Sequence, residues 1–221
     1  MSSMIHDIKS EISTILKGAT IDALVPPLIY VVVNQFTSLE VAGIVAITIA
    51  TVTAILRAFR KEALKYAVIG MMGVVIAVGF ALYSNRASDY FIPDLLSSGI
   101  LILLMLYSLI IRKPFAAWLS HLTRGWSFDW FFRSDVKPAY TEVTFVWMLF
   151  MIIKFIIQYN LWQSGNVTTT FIINTLLGFP GITVILVLTY VYGIWRLHNL
   201  GGPGVHEYKK DAPYEGQKKG F

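Results

Sequence analysis

VTFVWMLFMIIKFIIQYNLWQ, residues 143–163, is the stretch whose reading decides the fold. It is almost wholly apolar and meets the roughly 20 residues a helix needs to cross a bilayer. It carries one charge, Lys154. That residue lies about 16 Å along a helix from Val143 and about 12 Å from Trp162, at 1.5 Å per residue. Trp147, Met151, Lys154, Gln158 and Leu161 fall on one helical face. Gln158 lies one turn beyond the lysine, so this face is expected to look inward. A lysine near a helix end also snorkels to the interface, and an outward-turned Lys154 is the competing reading.

The composition agrees with a membrane protein. Of 221 residues, 56% are hydrophobic and 14% charged, with mean hydropathy +0.64, against about 25% charged residues in soluble domains. The net charge of +5 is spread over the ends of apolar runs. It forms no single basic stripe, which argues against nucleic-acid binding. With no cysteine, disulfides, thiolate nucleophiles and cysteine metal sites are excluded. Asp7, Lys9 and Glu11 occupy the place where a cleavable signal would be apolar.

Working outward, the chain reads as an all-α polytopic bundle of six spans, at about 21–37, 41–56, 66–84, 95–111, 143–163 and 168–195. The membrane domain is expected over 19–196. Residues 1–18 form an amphipathic interfacial helix, with Ile5, Ile8, Ile12, Ile15 and Leu16 at helical spacing. Segment 114–142 is too charged to span and holds Trp118, Trp126 and Trp130, which suit the headgroup boundary as interfacial anchors. Residues 197–221 are a polar tail expected to be flexible. Pro26 and Pro27 predict a kink in the first span. Gly178, Pro180 and Gly181 predict a break in the sixth. Gly70, Gly73 and Gly79 give the third a thin face for a neighbouring helix.

Sixteen of the eighteen lysines and arginines fall on one side of this topology. Arg86 alone lies on the other, and Lys154 lies within the membrane. The positive-inside rule then puts both termini in the cytoplasm of a plasma (inner) membrane protein. Asp22 and Pro26 are spaced like Asp89 and Pro93, and GMMGVVIAV (70–78) resembles GFPGITVIL (178–186). Both suggest a three-plus-three inverted repeat.

No acidic residue lies mid-span; Asp22, Glu40 and Asp94 sit at span ends. Lys154 therefore calls either for a neutral amine or for an anionic ligand, lipid headgroup or partner. Gln158, Asn174, Tyr30 and Asn34 complete the candidate ligand site, grouped around the two proline breaks. His6, His121, His198 and His206 lack metal-site spacing, and GGPG (201–204) lacks the lysine of a phosphate loop. No metal, cofactor or enzymatic acid–base set is expected.

DYFIPDLL (89–96), SLIIRKPFAAWL (108–119), the Trp147-to-Lys154 pattern and GFPG (178–181) resemble an actinobacterial-type family of six-span membrane proteins, a domain of unknown function. The resemblance covers about residues 20–200. It implies a basic residue at position 154, with arginine the usual one; lysine is a departure that weakens the case for a bidentate anion contact. The RKP step is similar to septation-protein-A-like membrane proteins. Two functions fit these features. One is a small transporter for an anionic or lipid-linked solute. The other is an accessory subunit docking to membrane protein partners.

Overall fold

The computed structural model describes residues 19–59 and 64–210. The amphipathic segment 1–18, Arg60, Lys61 and the tail from 211 lie outside the described residues. The regular structure is all helical, with no strand among the described residues. It comprises α1 (Ala19–Phe36), α2 (Leu39–Phe59), α3 (Leu64–Ser84), a 3-10 turn (Ala87–Phe91), α4 (Ile92–Ile110), α5 (Phe115–Arg124), α6 (Phe128–Phe131), α7 (Lys137–Ser164), α8 (Val167–Leu177), α9 (Phe179–Leu200) and α10 (Val205–Lys210). Four helical stretches are long and apolar enough to cross a membrane: Leu39–Phe59, Ala87–Ile110, Lys137–Ser164 and Val167–Leu200. Val25–Phe36 and Val68–Ser84 are shorter apolar helices.

α1 is helical through both Pro26 and Pro27. The two prolines remove the backbone donors that would have bonded one turn back. The apolar run 167–200 does break where expected. α8 stops at Leu177, Gly178 adopts φ −72°, ψ −115°, and α9 resumes with Pro180 in its first turn, where a missing N–H costs nothing. The helix then closes through Ile182 N–H to the Gly178 carbonyl at 2.8 Å.

The chain divides into two compact units, Met1–Asp94 with Gln158–Thr175, and Leu95–Ile157 with Leu176–Phe221. This division does not follow the three-plus-three halves.

In the first unit, α1, α2 and α3 pack through small residues. Ala42, Gly43, Ala46 and Ala50 are buried on α2, and Val74, Ala77, Val78 and Ala81 on α3. Gly43 is the tight point: a Cβ there would sit 2.7 Å from Val78 Cγ1. The expected thin face of α3 is not used for packing. A Cβ at Gly70, Gly73 or Gly79 would meet nothing within 4 Å.

The second unit is built on an aromatic core of Trp130, Phe131 and Tyr140, packed with Ala117, Val143, Leu197 and Val205. Trp130 is fully buried and donates its indole N–H to the Pro203 carbonyl at 2.9 Å. It is therefore a core residue and not the interfacial anchor its neighbourhood suggested. Trp118 is exposed, as an anchor requires, and Trp126 is half-buried with Arg124 over its ring at 4.9 Å. The same Pro203 contact folds the start of the supposed flexible tail: Gly202, Pro203 and Val205 are buried, and α10 follows. The first turn of α5 is closed from outside. Ser108 Oγ accepts from Phe115 N at 3.0 Å and Thr144 Oγ1 from Ala116 N at 3.1 Å, covering donors that a helix start leaves without internal partners. Glu142 accepts from Tyr192 at 2.6 Å and from Arg196 through two bonds of 2.8 and 2.9 Å.

Candidate functional site

The face predicted for α7 is the one the structure buries. Val143, Thr144, Met151, Lys154 and Gln158 are buried, while Phe145, Val146, Leu149, Ile153 and Ile156 are exposed. Lys154 retains 6% of its surface and Gln158 2%. Lys154 is thus covered by protein and not on the exposed face of α7.

Gln158 belongs to the first unit and joins its polar cluster. Its Nε2 donates to Asp94 Oδ2 at 2.6 Å and to Asn174 Oδ1 at 3.1 Å. Gln158 and Asn174 are both candidate ligand residues by sequence, but their pairing is not legible there. Nor was the acid legible, since Asp94 had been assigned to a span end. The 3-10 turn and the first turn of α4, with Pro93 at its second position, carry this carboxylate to Gln158.

Beside the cluster lies an open groove of about 300 Å³, called the cavity below, with Gly70 and Gly73 exposed along it. α3 supplies Gly70, Gly73, Val74 and Ala77, whose small side chains leave the space open. Pro27 adds to this apolar floor, so the glycine face and the second proline of α1 both find a use. Tyr90, Phe91 and Phe171 supply aromatic walls, and Asp94, Asn174 and Thr175 a polar end. No lysine, arginine or histidine is among these lining residues.

The aromatic wall is held from behind. Tyr30 stacks on Tyr90 with centroids 4.2 Å apart and donates its hydroxyl to the Ala87 carbonyl at 3.1 Å. Its role is thus to fix the 3-10 turn. Buried Asp89 on that turn accepts from Trp162 Nε1 at 2.7 Å. Arg86 stands 3.9 Å from the same carboxylate oxygen and lies over the Trp162 ring at 5.3 Å. Asn34, one turn beyond Tyr30, is half-buried and is not among the residues lining the cavity. Tyr90, Phe91, Asp94 and Phe171 were missed by sequence reading. For the first three the signal was the motif DYFIPD (89–94), with two acids and two aromatics within six residues; Phe171 lies outside it.

A family model described as a protein of unknown function, DUF3159, matches residues 17–197. No curated protein matches the chain, and no solved structure does.

Proposed function

We propose that this chain, which belongs to that family of unknown function, is an integral membrane carrier for a small amphipathic solute held in the cavity of the first unit. The cavity supports this reading most directly. It is mostly apolar, has a polar end with one carboxylate, and lies among apolar helices. Its size is at the lower end of small-molecule sites, about 300–1,000 Å³. The anionic solute expected from Lys154 fits this wall poorly, because Asp94 lines it and no basic residue does.

The reading takes α1 and α3 as spans as well, giving six. Their 18 and 21 residues correspond to about 27 and 32 Å, close to a hydrocarbon thickness of about 30 Å. Both termini are then cytoplasmic in the plasma membrane, by the bias of basic residues.

The test is flux into vesicles carrying the full chain, using a panel of small amphipathic amines, carboxylic acids and alcohols. Protein-dependent flux of at least one class is expected, and Gly73→Leu, which fills the floor of the cavity, is expected to abolish it. A panel without protein-dependent flux, or flux unchanged by Gly73→Leu, overturns the carrier reading.

A second reading, an accessory subunit of a membrane complex, draws on α5 of the second unit, where Trp118, Leu119 and Leu122 are exposed. Co-purification of a stoichiometric membrane partner that Leu122→Ser releases would favour it.

A further inference from the structure

We propose that α5 is a binding surface for anionic phospholipid, with its apolar face among the acyl chains and Arg112, Lys113 and Arg124 at the headgroup phosphates. The inference lies in the second unit and does not rest on the carrier reading.

Three observations carry it. First, α5 is amphipathic the wrong way round for a helix facing water. Phe115, Trp118, Leu119 and Leu122 share one face at helical spacing. Trp118, Leu119 and Leu122 are exposed, Leu122 by 81%. The opposite face carries Ala117, fully buried in the core of the unit. A helix that packs through small residues and turns large apolar ones outward suits an apolar medium. Second, connectivity says which medium. α5 starts just past Ile110, the end of one helix long and apolar enough to cross a membrane, and another such helix begins at Lys137. With 10 residues, α5 is about 15 Å long, too short to cross, and both flanks tie it to the bilayer surface. Third, the surface is basic. The exposed charged residues of 112–142 are Arg112, Lys113, Arg124 and Asp129. Asp135 and Glu142 are held by Arg133 and Arg196. Arg112 and Lys113 precede the first turn of α5 and Arg124 ends the last, so the bases flank the apolar face at both ends. Rings join the two parts. Trp118 lies against Phe128 with centroids 4.6 Å apart, Phe128 stacks on Phe132 at 5.5 Å, and Lys113 Nζ stands 5.9 Å over the Phe132 ring. Basic residues beside an inserted apolar face favour anionic headgroups. The accessory-subunit reading uses the same face, but bases at both of its ends match a layer of phosphates.

The test uses the full chain in vesicles of phosphatidylcholine with a minority of phosphatidylglycerol. The chain has no cysteine, so Leu122→Cys takes a single fluorophore, whose quenching by spin-labelled lipid is measured. Spin-labelled phosphatidylglycerol is expected to quench on the order of several-fold more than the phosphatidylcholine analogue at equal mole fraction, and aqueous iodide little. Lys113→Gln with Arg124→Gln should bring the two lipids level. Raising the salt should do the same without those substitutions, which keeps the proposal testable if that variant does not fold.

Equal quenching by the two lipids, or a preference that survives both the substitutions and the salt, overturns the proposal. So does a label open to iodide, which puts the face in water. A label that neither lipid nor iodide reaches lies under protein; this too overturns the proposal and favours the accessory subunit. The flux panel decides the carrier reading independently of these outcomes.

Discussion

Gln158 makes two of the hydrogen bonds that define the site, to Asp94 and Asn174. Replacing it with leucine keeps the volume and removes the donor. Gln158→Leu should cost about 1–3 kcal/mol, the usual effect of withdrawing a partner from buried polar groups, read as a lower melting temperature in detergent. Lys154 is buried on the same helix, and a buried lysine is costly unless something requires it. Lys154→Met should insert normally and lose flux; wild-type flux would remove this residue from the mechanism. A different residue contributes to the pH response outside the membrane. Arg133 grips Asp135 through bonds of 2.9 and 2.8 Å, and this hydrogen bonding holds the Asp135 carboxyl below its ordinary value. Because the folded value is the lower one, the stabilisation is complete above the unfolded value of about 3.9 and is lost as pH falls through the folded value. The pair is partly exposed, so the effect is about 0.2–1 kcal/mol. Asp135→Asn should flatten that part of the acid melting profile.

Two helices end in the same way, and neither end is written with glycine. At α3, Arg86 N–H reaches the Ala81 carbonyl and Asn85 N–H that of Leu82; at α4, Lys113 N–H reaches Ser108 and Arg112 N–H Leu109. This is the Schellman arrangement, which needs a left-handed residue just past the helix. Asn85 (φ 54°) and Arg112 (φ 57°) supply it. Asparagine tolerates that region, whereas arginine is strained there by about 1–2 kcal/mol. Arg112→Gly should therefore stabilise by up to about 1 kcal/mol after glycine's own entropy cost, measurable as a raised melting temperature. Two glycines on neighbouring helices should behave oppositely. Gly43→Ala pushes into Val78 and should cost about 1–3 kcal/mol, largely recovered by adding Val78→Ala. Gly73→Ala meets nothing and should be nearly neutral for stability. Sequence could not separate the two, because a glycine that admits a neighbour and one that leaves a space look alike until the neighbouring helix is placed.

At the scale of the molecule, the parts that were legible rest on periodicity. The inward face of α7 followed from a 3.6-residue repeat, and the break at Gly178 from glycine and proline chemistry. What was illegible depends on partners far along the chain: Asp94 meets Gln158 across 64 residues, and Trp130 meets Pro203 across 73. Composition alone placed that indole in the headgroups. Topology can be checked cleanly because the chain has no cysteine. Arg86→Cys should react with an impermeant maleimide from outside the cell, and Lys113→Cys only after the membrane is opened; the reverse pattern overturns the orientation. The closing of each unit by a late segment also bears on how the protein is made. The first unit needs residues 158–175, and the second needs Leu197, Pro203 and Val205. Neither can finish during translation of the first half of the chain. Early helices must wait half-assembled until residues 158–175 and 197–205 have followed them out of the ribosome.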